Sequence, residues 1–237
     1  KVKDVRRRIL YTLMMILIFR IGTTIPVPGV DTSIISKLVS GNSLLALYNM
    51  FTGGAFSNFT LFALGIGPYI TASIIIQLLT VGFESLKELQ KSGEEGRKKM
   101  TAITRYVTVG LALFESIAMA IGFGRQGMIP NLNFFKGVVV VACLTAGSAM
   151  LMWLGERITE KGVGNGISIV LTINIISRVP SDLSLLYENF IKGKTIAKGT
   201  LAGLIIAAVI LVVVVLVLIL NGAERRIPVQ YSKKMVG

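Results

Sequence analysis

Gly53-Gly-Ala-Phe-Ser-Asn-Phe-Thr-Leu-Phe-Ala-Leu-Gly-Ile-Gly-Pro-Tyr-Ile-Thr-Ala-Ser-Ile-Ile-Ile-Gln-Leu-Leu79 lies inside an uncharged region that runs from Leu38 to Phe83. It is apolar enough for a membrane, yet Gly65-Ile-Gly-Pro68 divides it. Glycine just past a helix end and proline in the first turn of the next are stop and start signals. As a helix, Ala55–Leu64 would be about 15 Å long, half of a hydrocarbon core of about 30 Å. A broken helix at that depth is tolerated only inside protein or against a water-filled cavity, and such breaks mark transport paths. The stretch therefore reads as a re-entrant half-helix followed by a spanning helix.

The rest of the chain agrees with a membrane setting. Hydrophobic residues make up 53% of the 237, and charged residues only 16%. Mean hydropathy is +0.73. A soluble domain would carry about 25% charge. The expected fold class is all-α, a polytopic helical membrane protein. There is no histidine and one cysteine, Cys143, in an apolar run. An intrachain disulfide is thereby excluded, and zinc or histidine chemistry lacks its groups. No cofactor, metal or enzymatic activity is expected, and Cys143 reads as a small packing residue.

Six spans are expected, at 1–22, 53–82 (including the re-entrant segment), 101–122, 137–155, 166–178 and 200–221, with 222–237 as a closing loop. The segment Thr23–Thr52 reads as external, polar around Asp31 and Lys37. Six spans put both ends on one side. On that side fall Lys1, Lys3 and Arg6–Arg8, the charged run Lys87–Arg105, Arg157, Lys161, Arg225, Arg226, Lys233 and Lys234. These are most of the chain's basic residues, so the positive-inside rule makes both ends cytosolic. The half-helix then enters from outside.

The fifth span is short. Gly166 to Ser177 is about 18 Å of helix, so it reads as starting deep, with Asn165 as N-cap, at the floor of a cytosolic cavity. Ile66 and Ile70 are four apart beside one break, and Ile167 and Leu171 are four apart beside the other. Each pair faces one direction, and the two pairs could meet as an apolar constriction.

These residues resemble the SecY family, whose members are the central subunit of the protein translocation channel. The resemblance rests on Phe19-Arg-Ile-Gly-Thr-Thr-Ile-Pro-Val-Pro-Gly29, the Gly53–Leu79 stretch, Glu95-Gly-Arg-Lys-Lys with Thr104-Arg-Tyr, Met152-Trp-Leu-Gly-Glu-Arg-Ile-Thr-Glu-Lys-Gly-Val-Gly-Asn-Gly-Ile-Ser168, and Glu224-Arg-Arg-Ile-Pro-Val-Gln-Tyr-Ser-Lys-Lys234. It covers nearly the whole chain and looks bacterial rather than archaeal. It implies an hourglass pore between two pseudo-symmetric halves, moving unfolded secretory polypeptides across the cytoplasmic membrane and membrane proteins into it. The chain reads as the N-terminal half, ending after the sixth helix, without the far wall of the lateral gate. By motif, the plug falls on Ala55, Phe56, Ser57, Asn58, Phe59, Thr60, Leu61, Phe62, Ala63 and Leu64. The chain's share of the pore ring falls on Ile66, Ile70, Ile167 and Leu171. Arg225, Arg226, Lys233 and Lys234 match a cytosolic docking loop. The implied partners are SecE and SecG-type small membrane subunits, the SecA motor ATPase, the ribosome through its RNA, signal peptides, translocating polypeptides and the lipid bilayer.

Other readings stand beside these. Glycines in membrane helices more often serve close packing, and by spacing alone the four ring residues would face lipid or core. Gly162-Val-Gly-Asn-Gly follows a helix and lacks Lys-Ser/Thr, so it is no nucleotide loop. Glu115, a carboxylate amid an apolar span, is a functional candidate facing a water-filled cavity or a neighbouring helix. Ser57, Asn58 and Thr60 make the plug look weakly held in hydrocarbon. A secondary transporter with broken helices is the competing class, but its midplane site needs polar groups where this chain has isoleucine and leucine. An intramembrane hydrolase would need a nucleophile with its base, paired aspartates or a metal, and Asp4, Asp31 and Asp182 all lie outside the apolar runs.

Overall fold

The computed structural model describes residues 2–130, 133–190, 192 and 196–224. Among the described residues, regular structure is helical: α1 (Val2–Gly22), α2 (Thr32–Gly41), α3 (Ser43–Phe51), α4 (Gly67–Gly82), α5 (Glu84–Lys91), α6 (Gly93–Arg125), α7 (Phe134–Lys161), α8 (Gly166–Phe190) and α9 (Ile196–Asn221). Residues up to Val179 form one compact unit, and those from Pro180 onward form a second.

In the first unit α6 packs chiefly on α7 and α4, and α1 on α7. Small residues make this possible. Thr108, Ala112, Ser116 and Ala120 recur every four residues on α6 and are buried. The Ser116 and Thr145 hydroxyls share a 3.0 Å hydrogen bond across the α6–α7 seam. The segment read as external is itself folded. Asp31 accepts from the Ser33 N–H at 2.9 Å to cap α2, and Asn42 accepts from the Leu44 N–H at 3.0 Å to cap α3. The bonds from Ser33 hold the Asp31 carboxyl below its ordinary pKa. The Asp31 N–H also donates to the Met128 carbonyl at 2.8 Å, joining the exit from α1 to the turn after α6.

Among the described residues, four helices are long and apolar enough to cross a membrane, or five if α4 and α5, bent by 105°, count as one broken span. The expected six is not reached on length and composition. In α1 the basic run Arg6–Arg8 and Arg20 leave only Ile9–Phe19 uncharged. Helix ends also differ from the expected ones, because apolar runs mark the buried part of a helix and not its capped ends. α6 begins at Gly93, with Glu94 and Glu95 in its first turn and a Lys99–Glu95 pair at 3.0 Å, all favourable at a helix start. α8 does not stop at 178 but continues to Phe190 with Pro180 inside it. An interior proline forgoes one backbone bond and crowds the carbonyl four residues before it, yet the helix continues past Pro180. The reading of α8 as too short to span is therefore corrected. In the second unit, α9 is apolar all round. Its most apolar window has mean hydropathy 3.6 and is 0% buried, as a helix embedded in hydrocarbon requires.

Candidate functional site

The segment joining α3 to α4 is not a half-helix. Residues 52–66 form a chain of tight turns, with Ala55 N–H to Thr52 carbonyl at 3.2 Å, Phe59 to Phe56 at 3.0 Å, Ala63 to Thr60 at 2.9 Å and Gly65 to Phe62 at 2.9 Å. Gly53, Gly54 and Gly65 have φ of 65°, 88° and 60°, and Phe59 joins them at 42°. Left-handed residues spaced this way cannot extend a right-handed helix. The turns instead pair with the α1 exit: Val27 N–H donates to Phe59 at 2.9 Å, and Leu61 N–H to Ile25 at 3.1 Å.

The segment is also firmly held, contrary to its polar appearance. Its apolar side chains feed two clusters. Phe56, Phe59, Ala63 and Leu64 join Val27, Ala112, Met128 and Leu144 in one, with Cys143 packed against it as expected. Ala55, Phe62 and Ile66 join Phe19, Leu151 and Leu154 in the other. Phe62 stacks on Phe19 at a ring separation of 5.6 Å, and Phe59 meets Phe123 edge-on at 5.6 Å. Only Gly53, Ser57, Asn58 and Leu61 are less than fully buried.

α3 braces the same segment through polar groups. Tyr48 Oη donates to the Leu64 carbonyl at 2.9 Å, and Asn49 Oδ1 accepts from the Ser57 N–H at 2.9 Å. Burial pushes the Tyr48 hydroxyl pKa above its ordinary value, and the negative charge of Glu115 adds to the shift. From α8, Asn174 Nδ2 donates to the Phe51 carbonyl at 3.0 Å. α7 contributes a close approach: a Cβ at Gly147 would collide with the Leu61 carbonyl group.

At the break, Pro68 sits in the first turn of α4, as expected. Asn165 Oδ1 accepts from Ile167 and Ser168 at 3.0 and 3.3 Å, the expected cap of α8. Ile66 is buried, and Ile70 and Ile167 pack against its cluster. Three of the four ring residues are therefore together, while Leu171 is half-buried and outside that cluster. Ile70 and Ile167 also line an open cavity of about 440 Å³ shared with Tyr69, Ser73, Arg105 and Glu156. Arg105 grips Glu156 with two bonds, Nε to Oε1 at 2.9 Å and Nη2 to Oε2 at 2.7 Å. Ile70 and Ile167 are thus apolar walls of an otherwise polar cavity, beside the cluster that holds Ile66. Arg225, Arg226, Lys233 and Lys234 lie outside the described residues.

Tyr48, Asn49, Gly147, Asn174 and the Arg105–Glu156 pair were missed in the sequence. Asn174 had a signal, being the amide within the apolar run Ile167–Ile176, and Gly147 sits in the small-residue run Ala146-Gly-Ser148.

Long apolar helices around a buried, broken hairpin define a polytopic helical membrane protein. The fold is shared with two solved structures. A protein conducting channel aligns over 80% of this chain and 42% of its own, with TM-score 0.57 and 20% identity. Sec61 in the canine ribosome-channel complex from the endoplasmic reticulum aligns over 95% and 49%, with TM-score 0.61 and 19% identity. The SecY family model matches residues 60–237. The protein translocase subunit SecY of Streptomyces galbus is 43% identical over 99% of this chain and 56% of its own length. The corresponding subunit of Escherichia coli K12 is 41% identical over 99% and 54%. This chain belongs to the SecY family, and it spans about half the length of these relatives.

Proposed function

We propose that the chain is the N-terminal half of a protein-conducting channel that moves unfolded secretory polypeptides across, and membrane proteins into, the bacterial cytoplasmic membrane. It is a passive conduit rather than an enzyme. The pore opens between this half and a second one, with Ile66, Ile70, Ile167 and Leu171 as its share of the waist. Residues 55–64 close the outer side as the plug. Both ends of the chain face the cytosol, by the distribution of Lys and Arg. SecA or the ribosome drives transport, and SecE and SecG-type subunits complete the complex. The observation that supports this reading best is the apolar cluster around Ile66, against which Ile70 and Ile167 pack while lining the polar Arg105–Glu156 cavity. Apolar side chains at a constriction exclude water and ions yet can part around a polypeptide.

The test is Ile70→Asn with Ile167→Asn in the complete channel. Two amides should hydrate the waist and raise idle ion conductance in planar bilayers several-fold. They should also relax the need for a good signal sequence. Parent-like conductance would remove both residues from the waist.

The docking role of Arg225 and Arg226 has its own test. Guanidinium groups pair bidentately with the phosphates of ribosomal RNA or the carboxylates of SecA, whereas lysine offers only a point charge. Glutamate at both positions should leave membrane insertion intact but abolish partner binding and translocation. Lysine at both keeps topology and should still weaken binding. Undiminished affinity of the lysine variant for ribosomes and SecA would leave topology as the whole role of these arginines.

A further inference from the structure

We infer that Asn174 is the latch that holds the turn segment shut, a positioning residue on α8 that no ring or plug assignment includes. This rests on the reading that residues 52–66 close the outer side of the path. Asn174 is only 2% exposed although it stands in an apolar helix. Its Nδ2 donates to the Phe51 carbonyl at 3.0 Å. Only the amide nitrogen can serve a carbonyl, so that bond fixes which way the side chain points. Its Oδ1 is then turned toward Gly53, where it has no partner. A Cβ added at Gly53 would lie 2.7 Å from that oxygen, and Gly53 has φ of 65°. The fit of α8 on the base of the segment therefore requires glycine on one side and the amide on the other.

The remaining polar braces differ in kind. Those from Tyr48, Asn49 and Thr52 start on α3 or at its end, immediately before the segment in the chain. They can travel with it as one body. The exit-loop bonds of Ile25 and Val27 attach at the far end, near Phe59 and Leu61. Asn174 is the polar tie that the base of the segment makes to another spanning helix. Moving α3 and the turns away from α8 breaks this one bond. The same motion admits water to Oδ1, an acceptor left unpaired while the segment is shut. The made and unmade bonds of this one amide thus oppose each other, while the apolar clusters supply the rest of the closure.

The experiment uses the complete channel reconstituted in vesicles, with Cys143→Ala and a reporter Ser57→Cys. The labelling rate by an external maleimide is measured in idle channels and in channels holding a trapped polypeptide. Asn174→Leu fills the same space but removes the donor. It should raise idle labelling about tenfold, the factor that one net hydrogen bond supplies, toward the rate of the occupied parent. Asn174→Gln retains a donor and should stay closer to the parent. A purely structural role would instead lower the unfolding temperature in both variants and leave idle labelling alone. If Asn174→Leu does not assemble, Asn174→Ala replaces it with the same expected rise. Parent-like idle labelling in the variant, where the parent responds to a trapped chain, overturns the latch. A parent whose labelling ignores the trapped chain overturns the closure reading beneath it.

Discussion

Gly147→Ala is expected to destabilise the complete protein by about 3 kcal/mol, the upper end for overpacking, while Gly137→Ala on the same helix leaves it unharmed. Each change adds a single methyl group to α7, and alanine is intrinsically the better helix former by about 1 kcal/mol. At Gly137 nothing lies within 4 Å of the new Cβ. At Gly147 the new atom meets the Leu61 carbonyl, with the carbon at 2.7 Å. That backbone cannot simply retreat, because Leu61 N–H is bonded to Ile25 at 3.1 Å and Phe59 accepts from Val27 at 2.9 Å. The methyl must push the turn segment off α7, so idle channels should leak ions as well as unfold earlier. Thermal unfolding and bilayer conductance of the two variants, measured side by side, decide the matter. Equal stability would mean that the segment does not rest on α7 at this point.

The second large effect is expected at the cavity lined by Arg105 and Glu156. Arg105→Ala strands the Glu156 carboxylate, whose side chain is only 10% exposed. Breaking a well-buried pair costs about 3–5 kcal/mol. Here Arg105 is 43% exposed, so solvent screening brings the expectation down to about 2–3 kcal/mol. Arg105→Met combined with Glu156→Leu removes both charges and should recover most of the loss, since the penalty belongs to the unpaired carboxylate and not to missing attraction. A double variant as unstable as Arg105→Ala alone would show that the pair itself, rather than the avoidance of a lone charge, holds α6 to α7.

Much of this architecture was legible because it follows from local chemistry. Pro68 after Gly65 and Gly67 announced the break and Asn165 announced the start of α8, while of the two spaced pairs only Ile66, Ile70 and Ile167 share a cluster and Leu171 lies outside it. The turn segment was misread because its composition, rich in Phe, Leu and Ala, is compatible with a helix. What forbids the helix is the backbone of Gly53, Gly54, Phe59 and Gly65, and Phe59 gives no sign of a left-handed conformation in the sequence. Its firm hold was hidden for another reason. Braces come from Asn174 and Gly147, far away in the chain, and pairings over such separations leave no periodic trace. The end of α8 was misplaced because the apolar run stops before Arg178, whereas the helix continues to Phe190.

The hydrogen bond from the Val163 N–H to Thr12 Oγ1, 3.1 Å long, joins residues 151 apart. Chains are synthesised at about 5–20 residues per second, so Thr12 waits roughly 8–30 s for its partner to be made. The contact of Asn174 with Phe51 imposes a shorter delay of the same kind, across 123 residues. During that interval α1 lacks the loop that will finally seat it. Its basic first turns and the apolar run Ile9–Phe19 must hold it in place alone. The order of birth along the chain thus makes α1 an early settler that is locked only once α7 and the start of α8 have arrived.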